Sequence, residues 1–535
     1  MKKILCLILT VAMLLGVCTA LSACGAPKDP GAQIAVYLGD EVYDFDPTDY
    51  YTDDNAEQVM SLLFEPLFRL NEKGKLECAA ADDYEVDEQT RKITITLRET
   101  YWSDGSLVTA DQFVYAWRKL LDANTANPAA ALLYDIEGAL EIKLGEQTKN
   151  SSLLGLQRLE KDVIEEFGAV ASGPFEITIT YREGADYKQL LKNLASIATS
   201  PIHFDNYEKA PSYWTKNSNT WVFNGPFQIS GIDRDEGHFT LQRNLGYHQN
   251  PEIEDYDNVV RPDMLKSVFG INGAAVSLTY DDIENKTVFY MGNASLADRS
   301  AHQANAVRND LSTYTYVFNT DKPLFAIKEV RLALSLAIDR NAIISAITYG
   351  KAASGFLPDM VVDIATNYTL TNSAFIDGAA KTAEANQLLT SVAGQLSNLS
   401  ADDKTIELLV SPDAESLAIA ALVESAWEGL NAGFNVTVRA AGTVLNEVSG
   451  ITIEDSEIQY IVKNAAISGV RDFDVIAVDM QAFANDAYAV LAPFATKYSG
   501  NGVDMNSDTY DVIGHVTGYA SEDYDKLVDQ VYDAA

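Results

Sequence analysis

The chain has 535 residues, 77 of them acidic against 39 basic, for a formal net charge of −38. With 47% hydrophobic and 10% aromatic residues it can bury large cores, which excludes a disordered, collagenous or coiled-coil chain. A negative field of this size works against phosphate backbones and against a basic patch on an anionic membrane, so no nucleic-acid partner is expected.

In chain order, the first element is a leader. Lys2 and Lys3 precede an apolar run from Ile4 to Val17, shorter than the ~20 residues a bilayer needs and suited to the h-region of a secretory signal. Leu21-Ser22-Ala23-Cys24-Gly25 follows and resembles a bacterial lipobox. That resemblance implies cleavage after residues 1–23 and a lipid on the Cys24 thiol, with membrane attachment through the lipid alone. Residues 24–33, with two Pro and two Gly, read as a tether. Residues 1–23 carry two Lys and no acid, so the mature charge would be −40. Of the four Cys only Cys78 would keep a free thiol, so no internal disulfide is expected and Cys78 reads as a small hydrophobe.

Lys92 to Leu97 and Glu176 to Tyr181 alternate with period two, as half-buried strands do. Between them, Ala110 to Leu121 places Phe113, Trp117 and Leu120 on one helical stripe, with Thr109 as N-cap. Val330 to Ile338 and Ser416 to Leu430 predict two further amphipathic helices. Phe434 to Val438 and Phe473 to Val478 are β-branched and more continuously apolar, as buried strands are. Helices and strands intermix throughout, so the class is α/β or α+β in several lobes. The five His show no metal-ligand spacing, and there is no nucleophile elbow, P-loop or dinucleotide fingerprint. No cofactor or metal is expected. An acid pair of the glycosidase kind remains open among 77 carboxylates, so an extracellular hydrolase stands as an alternative.

Several blocks together resemble one family. Trp102-Ser103-Asp104-Gly105 runs through Thr109-Ala110-Asp111-Gln112-Phe113-Val114-Tyr115-Ala116-Trp117-Arg118. Asn224-Gly225-Pro226-Phe227, Arg243 to His248 and Pro323 to Arg340 follow in order, then Gly355-Phe356-Leu357-Pro358. On these the chain is identified as a member of the bacterial extracellular solute-binding proteins, family 5, of the oligopeptide-binding lipoprotein type. The resemblance implies an α/β, type II periplasmic-binding-protein-like fold of three lobes with a hinged interlobe ligand cleft. Lobe I would combine residues 34–66, 199–319 and 500–535, the last a return that stops short of the family's usual length. Lobe II would be residues 67–198 and lobe III residues 320–499.

The function so implied is an extracellular, lipid-anchored, monomeric receptor, not an enzyme. It would capture oligopeptides by strand pairing in the cleft and deliver them to the permease subunits of an ABC transporter. Asp479 falls where the family places the carboxylate for the peptide ammonium. Met480 replaces the family's Tyr there, which leaves Asp486 as the other carboxylate. The loop from Thr48 to Asp54 resembles the segment that pairs with ligand, making Tyr50, Tyr51 and Asp53 candidate contacts. For the peptide carboxylate Arg471, Lys463 and His302 stay open. Dipeptides, nickel chelates and sugars are rival ligands, and peptide sensing is a rival role.

Overall fold

Among the described residues, three larger sheets and two two-stranded hairpins organise the chain. The computed structural model describes residues 33–39, 41–49, 54–122, 127–143, 167–211, 213–216, 218–248, 260, 262–269, 279–291, 300–302, 312–348, 350–353, 355–358, 361, 376–448, 450–495 and 516–534. In the first half lie β1 (Gln33–Tyr37), α1 (Asp54–Leu63), β2 (Phe68–Leu70), β3 (Leu76–Cys78), β4 (Ala81–Asp87), β5 (Lys92–Leu97) and α2 (Ala110–Leu121). They are followed by β6 (Ala169–Gly173), β7 (Glu176–Thr180), α3 (Tyr187–Asn193), β8 (Phe227–Asp233), β9 (His238–Arg243), β10 (Met264–Val268) and β11 (Tyr290–Met291). One sheet has the order β11-β1-β10-β9-β8, and a second, fully antiparallel, the order β4-β5-β7-β6. In the second sheet Ile93 and Ile95 of β5 stand opposite Ile179 and Ile177 of β7, all fully buried. Each such side chain contributes about 1.5–3 kcal/mol by burial. Phe113, Trp117 and Leu120 of α2 belong to the same core, as the helical stripe predicts.

The second half is built from β12 (Ser312–Phe318), α4 (Lys328–Ala337), β13 (Thr405–Val410), α5 (Ala414–Glu428), β14 (Asn435–Ala440), β15 (Thr443–Val448), β16 (Ile451–Ser456), α6 (Glu457–Ser468) and β17 (Val475–Gln481). Its sheet has the order β12-β17-β13-β14, with β12 antiparallel to β17. Residues of β17 alternate between two cores. Val475 and Ala477 meet α4 and α5, while Ile476, Val478 and Met480 meet Ile458, Val462 and Ala465 of α6. A strand covered on both faces reads as an unbroken apolar run, which is how Phe473 to Val478 was recognisable. The strand runs on to Gln481 because its ladder with β12 continues past the apolar residues, pairing Gln481 with Ser312. The two helices start two residues before their apolar patterns, since Lys328-Glu329 and Ala414-Glu415 make polar first turns.

After β17 the chain returns. α7 (Ala487–Leu491) and α8 (Glu522–Ala534) follow, and Phe483, Ala489, Ala492, Ala495 and Val528 pack into the core of the first half. The described residues therefore form two bodies with separate apolar cores, the second comprising β12 through β17 together with Val516.

The Trp102, Asn224 and Arg243 blocks converge in the first body, while the Pro323 to Arg340 block packs in the second. The Trp102 indole donates to Gln112 Oε1 at 2.9 Å, and the same oxygen accepts the Thr109 N–H at 2.9 Å, locking turn to helix. Asn224 accepts from the Glu65 N–H and donates to the Glu65 carbonyl. Gly225 lies so close to the chain beneath it that a Cβ would sit 2.5 Å from the Leu63 carbonyl carbon. The Glu65 carboxylate in turn receives the Tyr247 hydroxyl at 2.5 Å and stands 2.5 Å from His248 Nε2. Arg331 and Arg340 of the next block each donate to a carbonyl of the helical segment preceding their own, Phe325 and Ser335. These motifs hold turns and helix ends together.

Candidate functional site

Where the two bodies face each other, the residues are charged. The loop after β1 carries Asp44, Asp46 and Asp49, and each has its own partners. Asp46 is buried beside Lys119 of α2, with Nζ 2.6 Å from Oδ2. The Trp214 indole donates to the same oxygen at 2.7 Å, while Oδ1 accepts the Thr48 N–H and hydroxyl. Lys119 also donates to Thr48 Oγ1 at 2.6 Å, so every polar contact of this pair is local and complete. Asp44 lies 3.4 Å from Lys216 and 3.4 Å from Lys463, the latter on α6 of the second body. Burial disfavours its charge, but the two ammonium groups outweigh that and hold its carboxyl below the usual range. Lys463 also reaches Asp49 at 3.3 Å, and Lys216 reaches Asp455 of β16 at 2.5 Å. Burial works against both lysines too, and the surrounding carboxylates push their pKa values up. Beside this cluster opens a small cavity of about 160 Å³, walled by Asp44, Asp49, Tyr207 and Trp214 among others.

Of the carboxylates expected from sequence, Asp479 lies in β17 of the second body, opposite Tyr314 of β12 and half-buried. It shares the sheet face of Val475 and Ala477, and its charge adds to the burial that keeps the Tyr314 hydroxyl protonated. Asp486 lies in the returning segment, seven residues on, against the first body. One oxygen caps α7 by accepting from the Tyr488 and Ala489 N–H groups, and the other accepts from Asn193 Nδ2 of α3 at 2.9 Å. Burial raises its pKa. Tyr50, Tyr51, Asp53 and Cys24 lie outside the described residues. Of the cations left open, Lys463 is in the interbody cluster, Arg471 pairs with Asp321 at 2.7 Å, and the His302 ring stacks on Tyr280. Asp233, Glu236 and His238 bring ligand atoms within 4.8 Å of one another on a hairpin, at an exposed turn where carboxylates commonly gather without an ion.

A second acid group near Asp486 predicts a pH effect. Asp135 pairs with Arg182 at 2.8 Å, and Arg182 also donates to the Tyr532 carbonyl of α8 and lies over the Tyr532 ring. Burial raises the Asp135 pKa to about 6 despite Arg182, with Asp486 adding to the rise. The folded state thus holds this proton more tightly than the unfolded chain. Its contribution is full below about pH 4 and is lost as pH rises through about 6, up to about 3 kcal/mol in all. Asp135→Asn is expected to flatten the stability–pH profile over that window, measured as the difference between wild-type and variant denaturation curves. Parallel profiles would contradict it.

The family model described as bacterial extracellular solute-binding proteins, family 5 Middle, matches residues 75–502. The chain belongs to this family. Among relatives of this family-5 protein, dipeptide-binding protein DppE of Bacillus subtilis (strain 168) is 25% identical over 54% of this chain and 49% of its own. Periplasmic oligopeptide-binding protein OppA of Salmonella typhimurium is 29% identical over 62% of this chain and 59% of its own. The match thus spans about half to three-fifths of the length of those relatives. The solved substrate-binding domain of an oligopeptide ABC transporter from Bacillus anthracis superposes with a TM-score of 0.73 at 19% identity, covering 93% of this chain and 86% of that one. That likeness shows the type II binding-protein fold for this family-5 chain.

Sequence reasoning missed Asp44, Asp46, Asp49, Lys119, Lys216 and Asp455. No local spacing joins residue 44 to residues 216 and 463.

Proposed function

We propose that this family-5 chain is an extracellular receptor, anchored by a lipid on Cys24, that captures oligopeptides and hands them to the permease of an ABC transporter. The observation that carries this reading is the pair of separately cored bodies facing each other across a charged interface, in a family of solute-binding proteins. The lobe proposed to swing is lobe III, expected from the sequence at residues 320–499, without its end from Phe483 on, which packs into the first core. Relatives named for dipeptide and oligopeptide binding make short peptides the ligand class. Asp479, at the position the family resemblance gives for the ammonium carboxylate, is proposed to meet the ligand ammonium, while Asp486 caps α7 and accepts from Asn193. Tyr50, Tyr51 and Asp53 are proposed to line the ligand strand. The protein acts as a monomer and binds without turnover.

Native mass spectrometry of the purified mature protein, followed by release of co-purified ligand, tests the reading. A spread of short-peptide masses is the expected result. A single non-peptide mass, or no ligand together with no thermal shift on adding a peptide library, would overturn it.

A further inference from the structure

The two bodies are joined by charge as well as by chain. Lys463 of the second body reaches Asp44 and Asp49 of the first, at 3.4 and 3.3 Å. Lys216 of the first body reaches Asp455 of the second at 2.5 Å while staying 3.4 Å from Asp44. The order across the boundary is therefore Asp455, Lys216, Asp44, Lys463, with the sign of charge alternating. A third link lies at the rim, where Arg234 joins Glu41 at 2.6 Å to Glu454 at 3.4 Å. None of the four central side chains is more than 19% exposed. Ion pairs so far removed from water are screened weakly and attract more strongly than surface pairs do. The charged groups sit on elements built to carry them. α6 is fixed by its Ile458, Val462 and Ala465 against the β17 sheet, and Asp44 follows Val42 and precedes Phe45, both buried in the first core. Parting the bodies would leave Lys463 without both acids and separate Lys216 from Asp455.

We propose that Asp44, Lys216, Asp455 and Lys463 form an electrostatic latch that holds the two bodies closed and sets how long a ligand stays between them. The first half of this concerns closure of the chain itself; the second rests on the receptor reading above. A latch made of desolvated charges closes without requiring any one ligand side chain, so retention is decoupled from ligand sequence. In the open state the same charges are solvated and gain from counter-ions while the closed pairs are screened weakly, so the closure equilibrium falls as ionic strength rises.

The test uses the ligand-stripped mature protein and the variants Lys463→Gln and Asp455→Asn, with Asp455→Glu as the conservative control. Small-angle scattering from low to high salt reads closure directly. Wild type and Asp455→Glu are expected to expand as salt rises, while the two neutral variants are expanded already at low salt and respond little. Wild-type scattering that does not change with salt, or folded variants that match wild type throughout, would overturn the latch. With the co-purified peptide pool as ligand, the neutral variants are expected to release it about tenfold faster. Scattering changes without any peptide binding would leave the latch standing and remove the receptor reading. Peptide binding with unaltered scattering and release in the variants would do the reverse.

Discussion

Replacing Lys119 by methionine is expected to lower the unfolding free energy by about 3–5 kcal/mol, because it leaves the Asp46 carboxylate buried without a counter-ion. Asp46 keeps its Thr48 and Trp214 donors, but three neutral hydrogen bonds do not replace an ammonium 2.6 Å away. Adding Asp46→Asn to the same chain should recover much of the loss, since the remaining donors then meet a neutral acceptor. Urea denaturation of the single and double variants checks both statements. A loss below about 1 kcal/mol in the single variant would mean that the pair behaves as a solvated surface bridge. The substitution has a local reading as well. Lys119 lies on α2 and Asp46 between Asp44 and Asp49, so the pair fixes the loop that presents both acids to the second body. Interbody closure should loosen with it.

Trp427→Ala is expected to cost about 3–5 kcal/mol, and to cost it in the second body alone. Trp427 of α5 is wholly buried and donates its indole N–H to the Leu334 carbonyl of α4 at 2.9 Å. Its ring lies 6.1 Å from Tyr316 and 6.0 Å from Phe318 of β12, so one side chain ties two helices to the sheet. Truncation leaves a cavity and an unpaired carbonyl together. Because its core is separate from that of the first body, calorimetry should resolve an early transition for the second body ahead of a later one close to wild type. A single transition shifted as a whole would show that the bodies unfold as one unit.

How much was legible in the sequence depended on whether the signal was local. Lys92 to Leu97 and Ala110 to Leu121 declare their class within a few residues, and the strand and helix have those bounds. The family blocks were legible for the same reason, being turns and caps with fixed local chemistry. Yet the Asn224 and Arg243 blocks meet around Glu65, where Asn224, Tyr247 and His248 converge, and so report on scaffold more than on ligand. Asp486 carried two signals at once. An Asp ahead of a short apolar turn is an N-cap pattern, and its carboxylate does cap α7. The interbody charges carried no local signal at all. Asp44, Lys216, Asp455 and Lys463 are ordinary surface residues until four separate segments bring them together. In a chain with 77 acids, one functional Asp has nothing in its neighbourhood to mark it.

The ladder between β12 and β17 has a mechanical meaning. Ser312 opens one strand, Gln481 closes the other, and they are direct partners. Ala482 alone separates Gln481 from Phe483, which is already seated in the first core. Motion between the bodies is thus transmitted through the end of a hydrogen-bonded ribbon. Such a ribbon resists shear in the plane of its hydrogen bonds and yields most readily to bending across its face. Closure then has one easy direction, and Asp479, three residues from Ala482, rides on the lever arm close to its pivot.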